Sequence, residues 1–402
     1  MNLRGKKLLL LGGAHFQVPA ILAARRLGMT AICADNRPGN PGHALADLSF
    51  PTVSTVDTEA VLRLAREQAV DGVLNYGSDV SAVTCALVCS DLGLPGHDLE
   101  AVKALTNKGR FRELLRRERL QDLPVQRVLQ PDEDAHRAEV GAADLPLIVK
   151  PLDSSGSKGV TRVNELAALP EAVQAARRLS RTGCVLVESF MQKTGFQICG
   201  DGFFQDGALA FVAYGNGHFH EDSGHLVPFA ETFPSLHPPA MLEAVSARLQ
   251  TILRLVGFGT GAFNLDVIVD AHGQPFVIEI GPRNGGNFIP QAIGAWTGVD
   301  LVEASVRAAV EPAYRLPQRG REHGFFASYM LHRKTAARFE RLRLSEQIRP
   351  HVIRQLVYAT TGDPIEPFVH GGHAFGNLLL RFDKQEVMMD AIAQMQRHFF
   401  HD

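Results

Sequence analysis

Asn264-Leu265-Asp266-Val267-Ile268-Val269-Asp270 is followed, after Ala271 to Gln274, by Pro275-Phe276-Val277-Ile278-Glu279-Ile280-Gly281-Pro282-Arg283-Asn284-Gly285-Gly286-Asn287. Period-two alternation in both runs reads as an antiparallel hairpin of strands 263–270 and 275–280. Asn264 and Asp266 then share a face, and Val277, Glu279, Gly281 and Arg283 share a face of the returning strand. A four-residue loop sets Asp270 opposite Pro275, and therefore Asp266 opposite Glu279. Two facing carboxylates beside a chain of phosphates make a site for a hard divalent cation. The same two acids, over an apolar opposite face, equally fit the charged solvent face of a sheet. Arg283, one step further along, can brace a transferring phosphoryl group. Gly285-Gly286-Asn287 precedes a helix over 288–294, whose N-terminus suits an anion, although a plain loop fits as well.

Upstream, Lys150-Pro151-Leu152-Asp153-Ser154-Ser155-Gly156-Ser157-Lys158-Gly159 has a buried strand delivering Lys150, then a Ser/Gly loop. Glycines let backbone N–H groups approach phosphate oxygens, and the lysine is a point charge for one. A flexible surface loop is the bland alternative. Lys108, in Asn107-Lys108-Gly109-Arg110-Phe111, reads in isolation as a solvated helix lysine. In Val185-Leu186-Val187-Glu188-Ser189-Phe190-Met191, a purine can lie on Phe190 while the backbone at Ser189 and Met191 reads its edge. An edge strand with an exposed Glu188 explains the pattern too. Gly217-His218-Phe219-His220-Glu221-Asp222-Ser223-Gly224-His225 is rich in groups able to contact a polar substrate or act as a base, or it is a surface loop. It lacks the companion cluster a zinc site needs.

Further out, strands 7–11, 30–34 and 72–76 alternate with helical stretches 18–27 and 59–69, a βαβαβ pattern that implies a parallel, doubly wound sheet. Gly12-Gly13-Ala14-His15-Phe16-Gln17 is not a GxGxxG fingerprint, so dinucleotide binding is not expected; the glycines serve a tight turn or a substrate contact. Thr106 is positioned to cap a helix over 107–117. Many short strands between 125 and 214, helices over 165–179 and 239–256, and a final helix over 384–399 complete an α/β plus α+β organisation. The chain of 402 residues is 45% hydrophobic with a formal net charge of -2, which favours two or three domains and argues against a nucleic-acid or membrane partner. Cys33, Cys85, Cys89, Cys184 and Cys199 form no CxxC pair and read as reduced, buried thiols of a cytoplasmic protein. The apolar run after Lys6 and Lys7 is too short for a signal peptide.

In this order and spacing the motifs resemble the ATP-grasp superfamily, over nearly the whole chain from Lys7 to His398. Asp35-Asn36-Arg37-Pro38 after the second strand looks like the preATP-grasp domain of biotin-carboxylase-like enzymes. Val277 to Asn287 looks like the family's metal-binding Glu-x-Asn-x-Arg strand. The resemblance implies a preATP-grasp domain over 1–105 and a two-subdomain ATP-grasp domain over 106–311 with a lid over about 125–190. Residues 312–402 are a small α+β region that completes it. It implies ATP with Mg²⁺, or Mn²⁺ in its place. Lys108 and Lys150 would hold ATP phosphates, and Ser154, Ser155, Gly156, Ser157, Lys158 and Gly159 would close over them. Glu188, Ser189, Phe190 and Met191 would form the adenine hinge. Asp266 and Glu279 would bind the metal, and Arg283 would stabilise phosphoryl transfer. Two positions depart from the family pattern. Gly281 stands where the family has a metal-ligating Asn, a gap that Asn264, Asn287 or water would fill. Gln197 stands where an acid normally contacts ribose, and as a cofactor-binding residue it would still hydrogen-bond a ribose hydroxyl.

The activity implied is a carboxylate–amine ligase that forms an amide or peptide bond between small molecules, amino acids foremost, through an acyl phosphate. The layout is most similar to L-amino-acid ligases, with His218, His220, Glu221, Arg283, Asn284, Gly286 and Asn287 as substrate contacts. A bicarbonate-activating or purine-pathway member of the superfamily, and a non-catalytic ATP-binding regulator, are the alternatives. A homodimer is a family-level expectation.

Overall fold

The computed structural model describes residues 3–220, 225–317, 320 and 323–400. Strands β1 (Lys7–Leu11), β2 (Thr30–Ala34), β3 (Leu48–Phe50) and β4 (Gly72–Leu74) form a parallel sheet in the order β3-β2-β1-β4. β1 and β2 are apolar almost throughout because both their faces are covered. Helix Val18–Arg26 packs one face, and helices Thr58–Gln68 and Ala82–Leu92 the other. The sequence reading held three strands; β3 is a fourth, short and largely exposed. After β1 the backbone turns at Gly12, where φ is 118°. The Gly13 N–H donates to Asp35 at 2.8 Å, which holds this turn against β2. Chain order reverses about β1, so the carboxyl ends of β1 and β4 flank a crevice. Asp79, in the loop after β4, reaches from this unit into the site described below.

A second sheet contains β5 (Gln126–Leu129), β6 (Leu147–Pro151), β7 (Thr161–Val163) and β8 (Val185–Ser189), antiparallel in the order β5-β8-β6-β7. Helix Leu169–Leu179 buries Leu169, Ala172, Val173 and Ala176 against it. β8 is therefore an inner strand, which rules out the exposed-edge alternative for Glu188.

The third sheet has eight strands. Its members are β9 (Gln197–Gln205), β10 (Ala208–Phe219), β11 (Pro228–Phe233), β12 (Gly261–Val269), β13 (Pro275–Gly281) and β14 (Phe325–Leu331), then two later strands. Past the short strands β15 (Ala337–Arg338) and β16 (Arg343–Leu344) come β17 (Val352–Val357), the two-residue β18 (Pro364–Ile365) and β19 (Gly376–Phe382). The order is β13-β12-β9-β10-β11-β14-β19-β17, so the last third of the chain extends the sheet begun by β9. Helix Pro239–Leu255 covers one face through Val245, Leu249, Ile252 and Leu253. Helix Ile289–Thr297 covers the other through Ile289, Ala292, Ile293 and Trp296.

Some local expectations change. Asn107, not Thr106, caps the helix Lys108–Arg117, accepting from the Arg110 N–H at 3.0 Å; Thr106 Oγ1 instead donates to the Val102 carbonyl. The final helix stops at Ala393, and β20 (Phe399–Phe400) pairs with β16. β10 runs five residues past Tyr214, the end expected from its sequence, because its Gly-rich continuation still pairs with β9 and β11. All five cysteines are free thiols, and Cys184 is half-buried where burial was expected. Among the described residues no helix is long and apolar enough to cross a membrane.

Candidate active site

The hairpin β12–β13 places its two acids by an unexpected route. Val269, not Asp270, pairs with Pro275, and the register continues through Val267 opposite Val277. A bulge then absorbs Ile278, so that Asp266 faces Glu279 as the sequence suggested. Asp270 lies outside the strand and organises the loop, accepting from the His272 and Gln274 N–H groups at 2.8 Å. Above this hairpin, between the β5–β8 sheet and the eight-stranded sheet, lies a cavity of about 570 Å³.

At one end of the cavity charges are balanced. Glu188, 5% exposed, accepts from Lys150 Nζ at 2.5 Å and from Arg112 Nε at 2.8 Å. Burial alone would raise Glu188, but Arg112 and Lys150 together hold it down to about 2. Burial lowers Lys150 to about 8, partly offset by Glu188. Arg112 also donates to the carbonyls of Val277 and Ile278, fastening the β5–β8 sheet to the bulge. The sequence reading passed over Arg112; its spacing of one helical turn from Lys108 was the available signal. Lys108 is no solvated lysine: its Nζ donates to the Ser154 carbonyl at 2.7 Å and pairs with Glu279 at 3.2 Å.

Asp266 and Glu279 differ in state. Burial raises Asp266 to about 7, and the Glu279 charge adds to the shift. Burial pushes Glu279 the same way, but Lys108 and Arg283 bring it below its usual value. A divalent cation would relieve this repulsion, so the pair fits one. Among the described residues no third His, Cys, Asp or Glu joins them. The amide nitrogen of Asn264 donates to Asp201 and to the Gly200 carbonyl, each at 2.9 Å, which leaves its carbonyl oxygen as the end to offer a cation. Gln197 donates to Asp266 at 2.6 Å and so braces the acid rather than standing free for a ribose.

Gly281 has its own explanation. A Cβ there would lie 3.0 Å from Arg283 Cζ and 3.0 Å from Asp79 Oδ1. The space of the absent side chain is used by a bidentate Arg283–Asp79 pair, with bonds of 2.8 and 2.6 Å. Arg283 is thereby held at the cavity wall by the N-terminal unit. Gly285 is similarly constrained, because its N–H donates to the fully buried Asp201 and a Cβ would meet Asp201 at 2.9 Å. Asp79 and Asp201 were both invisible in the local pattern, since each acts on a residue far away in sequence.

Ser154 to Lys158 line the cavity mouth; Gly156, Ser157 and Gly159 have positive φ, and Ser157 Oγ donates to the Leu226 carbonyl at 2.7 Å. Gly159 packs beneath the loop against Pro151 and Leu179. Phe190 and Met191 also line the cavity, and the Arg162 guanidinium sits 4.1 Å over the Phe190 ring. The Ser189 N–H is already bound to the Val125 carbonyl at 3.0 Å, so it cannot read a base edge as expected. Gly286 and Asn287 line the cavity; Asn284 does not, being buried against Ser305. His218 points to the opposite sheet face, bonded to Thr232 Oγ1 at 3.0 Å and lowered to about 4 by burial. It lines a separate cavity there, so it stands apart from the other candidates. His220 touches both cavities. Glu221 lies outside the described residues. One acid of the cavity floor, Glu231 on β11, was not singled out from sequence at all.

A cavity between two antiparallel sheets, behind a parallel-sheet unit, is the arrangement of the ATP-grasp fold, and the solved structures that share this fold are ATP-grasp ligases. Residues 120–286 match the family described as "D-ala D-ala ligase C-terminus". An L-amino acid ligase from Bacillus licheniformis shares the fold with a TM-score of 0.83 at 19% identity, over 99% of each chain. A formate-dependent phosphoribosylglycinamide formyltransferase of Hydrogenovibrio crunogenus is 24% identical over 286 residues, 69% of either chain. An uncharacterised protein, y4rH, of Sinorhizobium fredii is 27% identical over 312 residues; that match covers 74% of this chain and 62% of the relative.

Proposed function

We propose that the chain activates a small-molecule carboxylate as an acyl phosphate and joins it to an amine, with amino acids as the substrate class. The observation that carries this reading is Lys108, which touches both the Ser/Gly loop and the acid that faces Asp266. One side chain thus ties a phosphate-gripping loop to a cation-binding pair. Bound Mg-ATP supplies the γ-phosphoryl group that turns a carboxylate into a species from which phosphate leaves easily. Lys108 and Lys150 would neutralise phosphate oxygens, and Asp266, Glu279 and the Asn264 carbonyl would hold the cation. Arg283, oriented by Asp79, would stabilise charge on the transferring group. Ser154 to Gly159 would exclude water from the acyl phosphate. The segments 1–105, 106–311 and 312–402 serve as working domains, the last one completing the grasp sheet through β14, β17 and β19.

A purine-pathway reaction is the second reading, favoured by the match over 69% of a phosphoribosylglycinamide formyltransferase. Phosphate release from Mg-ATP, measured across amino-acid pairs with formate and bicarbonate as controls, separates the two. The first reading expects release that needs two amino acids and falls at least ~100-fold in Glu279→Gln. Release with formate or bicarbonate and no amino acid would reject it.

A further inference from the structure

The second cavity, which His218 lines, has a volume of about 800 Å³, the size of a small-molecule site. It lies on the far face of the eight-stranded sheet, against the helix Gln385–Ala393. Phe196, Phe229, Tyr329, Met389 and Ile392 give it an apolar body. The hydrogen bonds behind His218 settle which ring nitrogen carries the proton. The Leu236 N–H donates to Asn216 Oδ1 at 2.7 Å, which turns the amide so that Nδ2 donates to Thr232 Oγ1 at 3.1 Å. The threonine hydroxyl keeps its own proton to give. His218 Nε2 at 3.0 Å is a better acceptor than the Met389 thioether at 3.9 Å. An imidazole that accepts at Nε2 holds its proton on Nδ1. His218 is 9% exposed, and burial, helped by the Lys193 charge, lowers it to about 4 and keeps the ring neutral. Among the described residues Nδ1 has no hydrogen-bond partner. The cavity wall therefore carries an N–H donor beside the Lys193 ammonium, which sits 4.7 Å over the Phe219 ring.

A ligand suited to this wall brings an apolar body, an acceptor for the Nδ1–H and a negative charge for Lys193. It brings no ammonium group, because no described residue of the lining is an acid that could receive one. We infer that the second cavity binds an apolar monocarboxylate without an amino group, its carboxylate on Lys193 and His218 and its aryl or branched alkyl body against Phe229, Tyr329 and Met389. An α-amino acid is thereby rejected here, whatever the first cavity accepts. The two sites are neighbours, not one site. Gly217 and Glu231 pair on the first cavity's face, and the next pair, His218 and Ala230, points the other way. Gln192, Lys193, Phe219 and His220 line both cavities, so the two meet around the end of β10. The assignment does not depend on the ligase reading.

The test is calorimetric titration of the full chain with 3-phenylpropanoate and 4-methylpentanoate, beside their primary amides and the amino acids phenylalanine and leucine. Each titration is run with and without Mg²⁺ and a saturating non-hydrolysable ATP analogue. At least one of the two acids should bind with one-to-one stoichiometry, about 10- to 100-fold more tightly than its amide, the size of one charged hydrogen bond. It should also bind at least ~10-fold more tightly than the matching amino acid in the presence of the ATP analogue. Lys193→Gln should erase the preference for acid over amide. Ala393→Trp, at an exposed position on the cavity's rim, should weaken the acid at least ~10-fold and leave affinity for the ATP analogue unchanged. Failure of both acids to bind, equal binding of acid and amide, displacement of the acid by the ATP analogue, or affinity untouched by Ala393→Trp would each overturn the assignment. The wild-type comparisons stand even if a variant does not fold.

Discussion

Glu188 and Glu231 are both glutamates in the wall of one cavity, 5% and 4% exposed, and their surroundings treat them in opposite ways. Glu188 meets an arginine and a lysine and is held down to about 2. Glu231 meets a glycine, a serine already in use and two distant acids, and is pushed up to about 8. Burial is nearly equal, so the partners decide the outcome. The contrast divides the cavity into an end whose charges are matched within the fold and an end where a buried acid, lacking a partner, keeps its proton. The first can hold its shape without ligand; the second gains most when a cation arrives.

The contrast is broken most readily at Glu188. Glu188→Ala leaves Arg112 and Lys150 buried and unmatched, and should cost roughly 3–5 kcal/mol in urea unfolding. Glu231→Gln should cost nearly nothing in the same experiment at about pH 5. Equal losses would mean that the two ends are not different in kind. Gly281→Asn tests whether Arg283 and Asp79 belong to the matched end. The added side chain crowds their ion pair, so kcat/KM should fall roughly 10- to 100-fold. A rise in activity would instead mean that the asparagine had supplied a cation ligand.

The contrast also shows in pH. Glu188 contributes stability that is present above its ordinary value of 4.5 and is lost as pH falls towards about 2. Glu231 acts in the other sense. In the folded chain it keeps its proton up to about 8, while the unfolded chain ionises near 4.5, so stability is lost as pH rises between those values. Urea midpoints of wild type and Glu231→Gln should therefore nearly coincide at about pH 5 and separate in favour of the variant by about pH 9. A constant gap would remove Glu231 as the source.

The matched end was largely legible in the sequence, because its parts announce themselves locally. A lysine ends a buried strand, a Ser/Gly loop follows, and two acids alternate with apolar residues. The facing of Asp266 and Glu279 was anticipated through a register that was wrong at the loop and corrected by the Ile278 bulge. The other end was poorly legible. Asp79, Asp201 and Glu231 matter through partners or neighbours brought from distant segments, and no local periodicity records that. His218 was misassigned for a related reason: ending β10 at Tyr214 concealed the alternation that turns His218 away from the cavity.

The pairing of β11 with β14 bears on how the molecule is made. Pro228 to Phe233 must wait, during vectorial synthesis, for a partner strand that begins only at Phe325. Until then β11 is an open edge carrying Phe229 and Phe233, the kind of surface that recruits foreign strands. Glu231 lies in the middle of that edge, and an inward-pointing charge is one of the devices by which such edges resist self-association. A nascent chain therefore carries its own gatekeeper at the position where the finished molecule keeps an unmatched acid.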